Sequence, residues 1–348
     1  MQQSVSGAQA LSPDPWVWIV FNVCILAMLA LDLFVFHRDA HAVRAREAAA
    51  WSAVWVALAL VFNVVLYHAS GPEPALAFLT GYLIEKALSV DNIFVFVLLF
   101  SYFQVPAKYQ HRVLFWGILG ALVMRGAMIA AGAWLIQEFH WILYVFGAFL
   151  VLTGIRMATH EERALDPESN LVLRFLTRFV SVSGTYDGQR FFTTRPGPGG
   201  RVRRLATPLF VVLVMVETTD LIFAVDSIPA IFAVTQDPFL VYSSNVFAIL
   251  GLRALYFLLA GIIHRFHFLK LGLSAVLVFV GAKMLIVDVY RVPVALSLAV
   301  VAATLAAAVA ASLIWPRAAE AHTPVDRCPM AIPDPSSSPS GEPLGHAD

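Results

Sequence analysis

Val225-Asp226-Ser227-Ile228, inside an apolar run at 207–232, repeats Val90-Asp91-Asn92-Ile93, inside an apolar run at 75–100. Six residues before each aspartate stands another acid, Glu85 in one stretch and Asp220 in the other. Working outward, Ile118-Leu119-Gly120-Ala121-Leu122-Val123-Met124-Arg125 has a shorter counterpart in Ile249-Leu250-Gly251-Leu252-Arg253. Further on, Gly154-Ile155-Arg156-Met157 matches Gly281-Ala282-Lys283-Met284. Three points of likeness in the same order mark an internal repeat, and a repeat decides the fold before any single segment does.

Each copy holds three apolar runs of membrane-spanning length. The chain is 59% hydrophobic and 13% charged, against about 45–50% and 25% in soluble domains. The reading is an all-α polytopic membrane protein of about nine transmembrane helices, near 16–36, 51–68, 75–100, 111–136, 140–158, 207–232, 240–263, 268–288 and 293–315. The parts are then an N-terminus at 1–15, two accessory helices within 16–68, and repeat one at 75–158. A loop at 159–206, repeat two at 207–288, a last helix at 293–315 and a disordered tail at 316–348 follow. Three spans per copy bring the second copy in from the opposite side, so the repeats are inverted, as in many secondary transporters.

Lys and Arg crowd alternate connections: Arg38, Arg44 and Arg46, then Lys108 and Arg112, then eight arginines in 159–206, then Arg265 and Lys270. The intervening segments 69–74, 137–139 and 233–239 have none, and 289–292 has only Arg291. Positive charge favours cytoplasmic loops, so the N-terminus is expected outside and the C-terminus inside. The first apolar run, followed by basic residues, reads as a retained span and not a cleaved leader. Asn170 to Val180 reads as an amphipathic helix, and Gly197-Pro198-Gly199-Gly200 as a turn. The formal net charge is +0, which disfavours nucleic acid as a partner. Cys24 and Cys328 form no paired motif, so no thiolate metal site is expected. No motif of an enzyme is present.

Charges within lipid cost about 2.5–3.5 kcal/mol each on insertion scales, so they face a bundle interior or a wet cavity. The acids are Asp32, Glu85, Asp91, Glu217, Asp220 and Asp226; the bases are Lys86, Arg125, Arg253, Lys283 and Arg156 near a span end. Two uses are open. Acids and bases can form buried pairs, for example Asp91 with Arg253 and Asp226 with Arg125. Alternatively Asp91, Asp226, Glu85, Asp220, Glu217 and Asn92 can hold a hard cation, with Arg125, Arg253, Lys283, Arg156 and Lys86 as counter-ions and Asp32 as an accessory. Carboxylate, amide and hydroxyl oxygens suit Mn²⁺, Mg²⁺ or Ca²⁺. Residues six apart lie about 120° round a helix, so unwound or kinked stretches are expected near Asp91 and Asp226, where Pro229 removes a backbone donor. Trp16, Trp18, Trp51 and Trp55 read as interfacial anchors.

Glu85-Lys86-Ala87-Leu88-Ser89-Val90-Asp91-Asn92 and Glu217 to Ala230 resemble the two signature stretches of the TerC family, over residues 16 to 315. Ala30 to His37 and Gly188 to Phe192 are similar to its Alx branch. The resemblance implies a bacterial inner-membrane protein of manganese homeostasis or tellurium resistance, exporting Mn²⁺. Carboxylates change protonation as a divalent ion binds and leaves, so proton exchange is the expected coupling, and no permanently bound cofactor is expected. A non-transporting scaffold of a metal, tellurite or alkaline stress response is the alternative that the resemblance leaves.

Overall fold

The computed structural model describes residues 14–31, 45–159, 180–183, 185–196, 202–260, 268–290 and 292–315. Asp32, the amphipathic segment up to residue 179, the turn at 197–200 and the tail from 316 lie outside them.

The described chain is helical apart from one hairpin. In order come α1 (Pro15–Leu31), α2 (Ala45–Ser70), α3 (Pro72–Tyr102), α4 (Ala107–Glu138) and α5 (Ile142–Thr159). After the hairpin come α6 (Pro208–Phe232), α7 (Pro238–Leu250), α8 (Leu252–Leu259), α9 (Leu269–Leu285) and α10 (Val294–Ile314). Among the described residues five helices, α2, α4, α5, α6 and α10, are long and apolar enough to cross a membrane; counting α7 with α8 as one bent span makes six. Three charges in the middle of α3, Glu85, Lys86 and Asp91, set it apart from these, and α9 has 17 residues.

Local chemistry explains the helix ends. Gly71, at φ 95, takes the left-handed turn that a side chain disfavours, and Pro72 starts α3 where a missing N–H costs nothing. Asp237 caps α7, accepting from the backbone N–H of Phe239 at 2.9 Å and of Leu240 at 3.3 Å, as N-cap acids do.

α3 packs on α6, α7 and α10, α4 packs on α6 and α7, and α5 packs on α9. The α5–α9 seam is backbone against backbone. A Cβ on Gly281 would stand 2.7 Å from the Gly147 carbonyl oxygen, and one on Gly154 would stand 2.9 Å from the Ser274 carbonyl oxygen. Ser274 Oγ donates to the Gly154 carbonyl at 2.6 Å. Small residues permit this approach in lipid, where van der Waals fit and hydrogen bonds replace the hydrophobic effect. The pairing of 147 with 281 and 154 with 274 makes the two helices antiparallel.

Three expectations are corrected. α3 and α6 run unbroken through Asp91 and Asp226, with Pro229 carried inside α6; tertiary packing retains the helix despite the lost donor. The break lies instead at Gly251, where α7 and α8 meet at 41°. The 159–206 connection also contains β1 (Phe192–Pro196) paired antiparallel with β2 (Val202–Ala206). Trp55 is no interfacial anchor, being 4% exposed and packed over Gly251.

Candidate functional site

Arg125, on α4 and 2% exposed, sits between the two helices that carry the repeated acidic stretches. Its Nη1 donates to Glu85 Oε1 of α3 in a very close contact. Its Nη2 donates to Asp220 Oδ1 of α6 at 2.8 Å and its Nε to Asp220 Oδ2 at 3.1 Å. This is the two-pronged fork that suits guanidinium to carboxylate. Ser227 Oγ accepts from Nη1 at 3.4 Å, and Asn92 Nδ2 donates to Asp220 Oδ1 at 3.4 Å. Glu85, Asp220 and Ser227 thus converge on one guanidinium, and Asn92 reaches it through Asp220. The pairing of Arg125 with Asp226 anticipated from sequence is replaced by this arrangement. Asp226 is half-buried and bonds instead to Thr153 of α5.

Two carboxylates face one guanidinium, and Glu85 Oε2 and Asn92 Oδ1 are buried without a hydrogen-bond partner. One helical turn before Asp220, Glu217 Oε2 is likewise buried and unpartnered, and its carboxylate fills the space beside Gly120, where a Cβ would collide with it. Buried acceptors without donors cost about 1–3 kcal/mol each, so these oxygens are the unsatisfied groups of the centre. Among the described residues no three His, Cys, Asp or Glu side chains are close enough together to hold a metal ion. Glu85 and Asp220 are brought together by Arg125; Asp91 is half-buried at the edge of the centre.

The other bases have separate places. Arg253 Nη1 lies 2.9 Å from His111 Nε2. Lys86 Nζ donates to the Ala248 carbonyl at 3.2 Å, beside the α7–α8 break. Lys283 Nζ donates to Ser297 Oγ of α10 at 3.0 Å. Arg156 is exposed at the end of α5.

A cavity of about 770 Å³ opens at the end of the bundle where α3 begins and α4 and α6 end, with Glu73, Asp237, Lys283 and Asp288 on its walls. Its lining reaches Ala77 of α3 and Ala133 of α4, each eight residues from Glu85 and Arg125, or about 12 Å along a helix. Buried Phe78 and Ile129 occupy the intervening turns. Neither this cavity nor the bend at Gly251 was anticipated from sequence. A signal for the bend existed: Gly120 and Arg125 are five residues apart, Gly251 and Arg253 only two.

The family described as "Integral membrane protein TerC family" matches residues 70–320. An uncharacterized membrane protein of Myxococcus xanthus is 54% identical over 304 residues, 87% of this chain and 94% of its own. A protein of Escherichia coli strain K12 named "Putative membrane-bound redox modulator Alx" is 54% identical over 297 residues, 82% of this chain and 91% of its own. A membrane protein of Rickettsia bellii is 39% identical over 297 residues, 85% of this chain and 97% of its own. No solved structure matches the chain.

Proposed function

The chain belongs to the TerC family of multi-pass integral membrane proteins, and on that premise we propose that it is a secondary transporter, not an enzyme, exporting a hard divalent cation across the bacterial inner membrane in exchange for protons. Manganese is the leading cargo. The observation that carries this reading is the Arg125 guanidinium held between Glu85 and Asp220, with a second Glu85 oxygen left without a donor. Arg125 then stands where the cargo binds. A divalent ion entering between the two carboxylates neutralises both, which Arg125 alone does not. Asn92 Oδ1 adds a neutral oxygen, and Glu217, Asp91 and Asp226 supply ligands or proton acceptors along the way. Burying two acids with one base is costly in lipid, so the centre favours a second positive charge.

The nine-span reading, with the N-terminus outside and the C-terminus inside, follows from the alternation of arginine-rich and arginine-free connections. The cavity then faces outward, since its rim is built from the segments that hold no basic residue apart from Arg291. The α5–α9 seam supports inverted repeats. Gly154 matches Gly281, and the same register matches Gly147 with Ser274. Exchanging the copies turns the Gly147–Gly281 contact into the Ser274–Gly154 contact, and both are present.

The test is uptake of Mn²⁺ into proteoliposomes holding a metal-sensitive dye. Flux is expected from the natural chain and lost in the Glu85→Gln, Asp220→Asn double variant. Flux that persists in that variant sinks the site, and flux absent from the natural chain under every pH gradient sinks the transport reading.

A further inference from the structure

Lys86, like Arg253 and Lys283, is an intramembrane cation outside the proposed metal centre. It follows Glu85 on α3 but serves another place. Its ammonium donates to the Ala248 carbonyl at 3.2 Å and fills the notch left by the missing side chain of Gly251, where a Cβ would stand 2.6 Å from Nζ. Gly251 is the break between α7 and α8, bent by 41°. At a helix end the last four carbonyls lose their intrahelical partners, and aligned peptide dipoles make that end negative. Broken helices in transporters present such ends to monovalent ions.

Polar groups on the same two helix faces have no partner. Asn245, one turn before Ala248, is 0% exposed with both Oδ1 and Nδ2 unpartnered. Ser89, one turn after Lys86, and Tyr82, one turn before it, are 1% and 4% exposed, and their hydroxyls are also unpartnered. Residues three or four apart share a helix face, so these three flank the ammonium on its two helices. Carbonyl, amide and hydroxyl oxygens form a neutral, hard donor set. Such a set suits one positive charge, unlike the carboxylate pair around Arg125.

We propose that the Lys86 ammonium is a built-in occupant of an alkali-cation site at the α7–α8 break, and that removing it opens this site to sodium. The consequence for the transport reading is coupling to protons without sodium. Only that consequence rests on the proposed function; the site itself does not.

The experiment is thermal unfolding of the full chain in detergent, in sodium, potassium or N-methylglucamine chloride at equal ionic strength. The natural protein is expected to unfold at one temperature in all three. Lys86→Ala is expected to unfold lower in N-methylglucamine and to regain about 2–4 °C in sodium, saturating in the millimolar range. Lys86→Arg, which keeps the charge, is expected to show no sodium response. Should Lys86→Ala not be recoverable, Lys86→Ser carries the same expectation. A sodium-insensitive Lys86→Ala or Lys86→Ser overturns the proposal, as does failure of both to fold in sodium as in N-methylglucamine, or a sodium response in the natural chain. A sodium response in Lys86→Ala alongside absent manganese flux would leave this site standing and remove the transport reading.

Discussion

In the proposed repeat α4 and the α7–α8 pair hold matching places, yet one is a single helix of 32 residues and the other is bent at Gly251. Their glycines face opposite charges: Gly120 lies against the Glu217 carboxylate, Gly251 against the Lys86 ammonium. Arg125 reaches the acid pair, and Arg253 Nη1 lies 2.9 Å from His111 Nε2. The third helices behave differently. α5 and α9 meet through contacts that exchange with each other when the copies are swapped. In the proposed repeat these packing contacts exchange, while the matched glycines meet an acid in one copy and a base in the other. Function is to be sought where the copies differ.

The comparison breaks most easily at Arg125. Arg125→Gln leaves Glu85 and Asp220 buried side by side without their base. Removing one partner of a buried pair costs about 3–5 kcal/mol, the largest loss expected for any single change in the chain. Adding Glu85→Gln and Asp220→Asn removes the stranded charges, so thermal stability should largely return while manganese flux does not. A triple variant as unstable as the single one would mean that Arg125 holds the bundle by packing and not by charge.

The glycines give the next effect. Gly281→Ala drives a Cβ into the Gly147 carbonyl and the Val151 backbone nitrogen, at 2.7 and 2.9 Å. Backbone cannot swing aside, and overpacking costs about 1–3 kcal/mol. At Gly120 the obstacle is the end of a flexible side chain, and alanine gains up to about 1 kcal/mol of helix propensity. Gly120→Ala should therefore unfold at the same temperature or higher, with flux reduced because Glu217 is displaced. Equal melting losses in the two variants would show that the seam is no tighter than the centre.

Much of this was legible in the residues. The helical membrane class followed from the apolar runs, and the convergence of Glu85 and Asp220 on one base followed from charges that lipid penalises. The partner of Arg125 was not legible, because Asp220 and Asp226 are separated by only about 120° on one helix and sequence does not say which faces α4. The expected unwinding at Pro229 failed because a proline inside a packed helix loses one hydrogen bond without losing its neighbours. The paired strands β1 and β2 flank a stretch whose glycines and prolines carry only a turn signal in the sequence.

The finest comparison is between Asn92 and Ser227, which follow the two repeated aspartates. Both touch the centre at 3.4 Å, Asn92 as a donor to Asp220 and Ser227 as an acceptor from Arg125. Only Asn92 has a further buried oxygen without a partner. If the centre takes a cation in place of Arg125, Asn92 contributes an oxygen to it, whereas Ser227 mainly steadies the arginine that leaves. Asn92→Ala should then lower manganese flux about tenfold, within the range seen when a group supporting a metal site is removed, and Ser227→Ala about twofold. Neither should shift the melting temperature as far as Gly281→Ala. Equal flux losses would return the two copies to functional equivalence and place the symmetry of the repeat in the chemistry as well as in the packing.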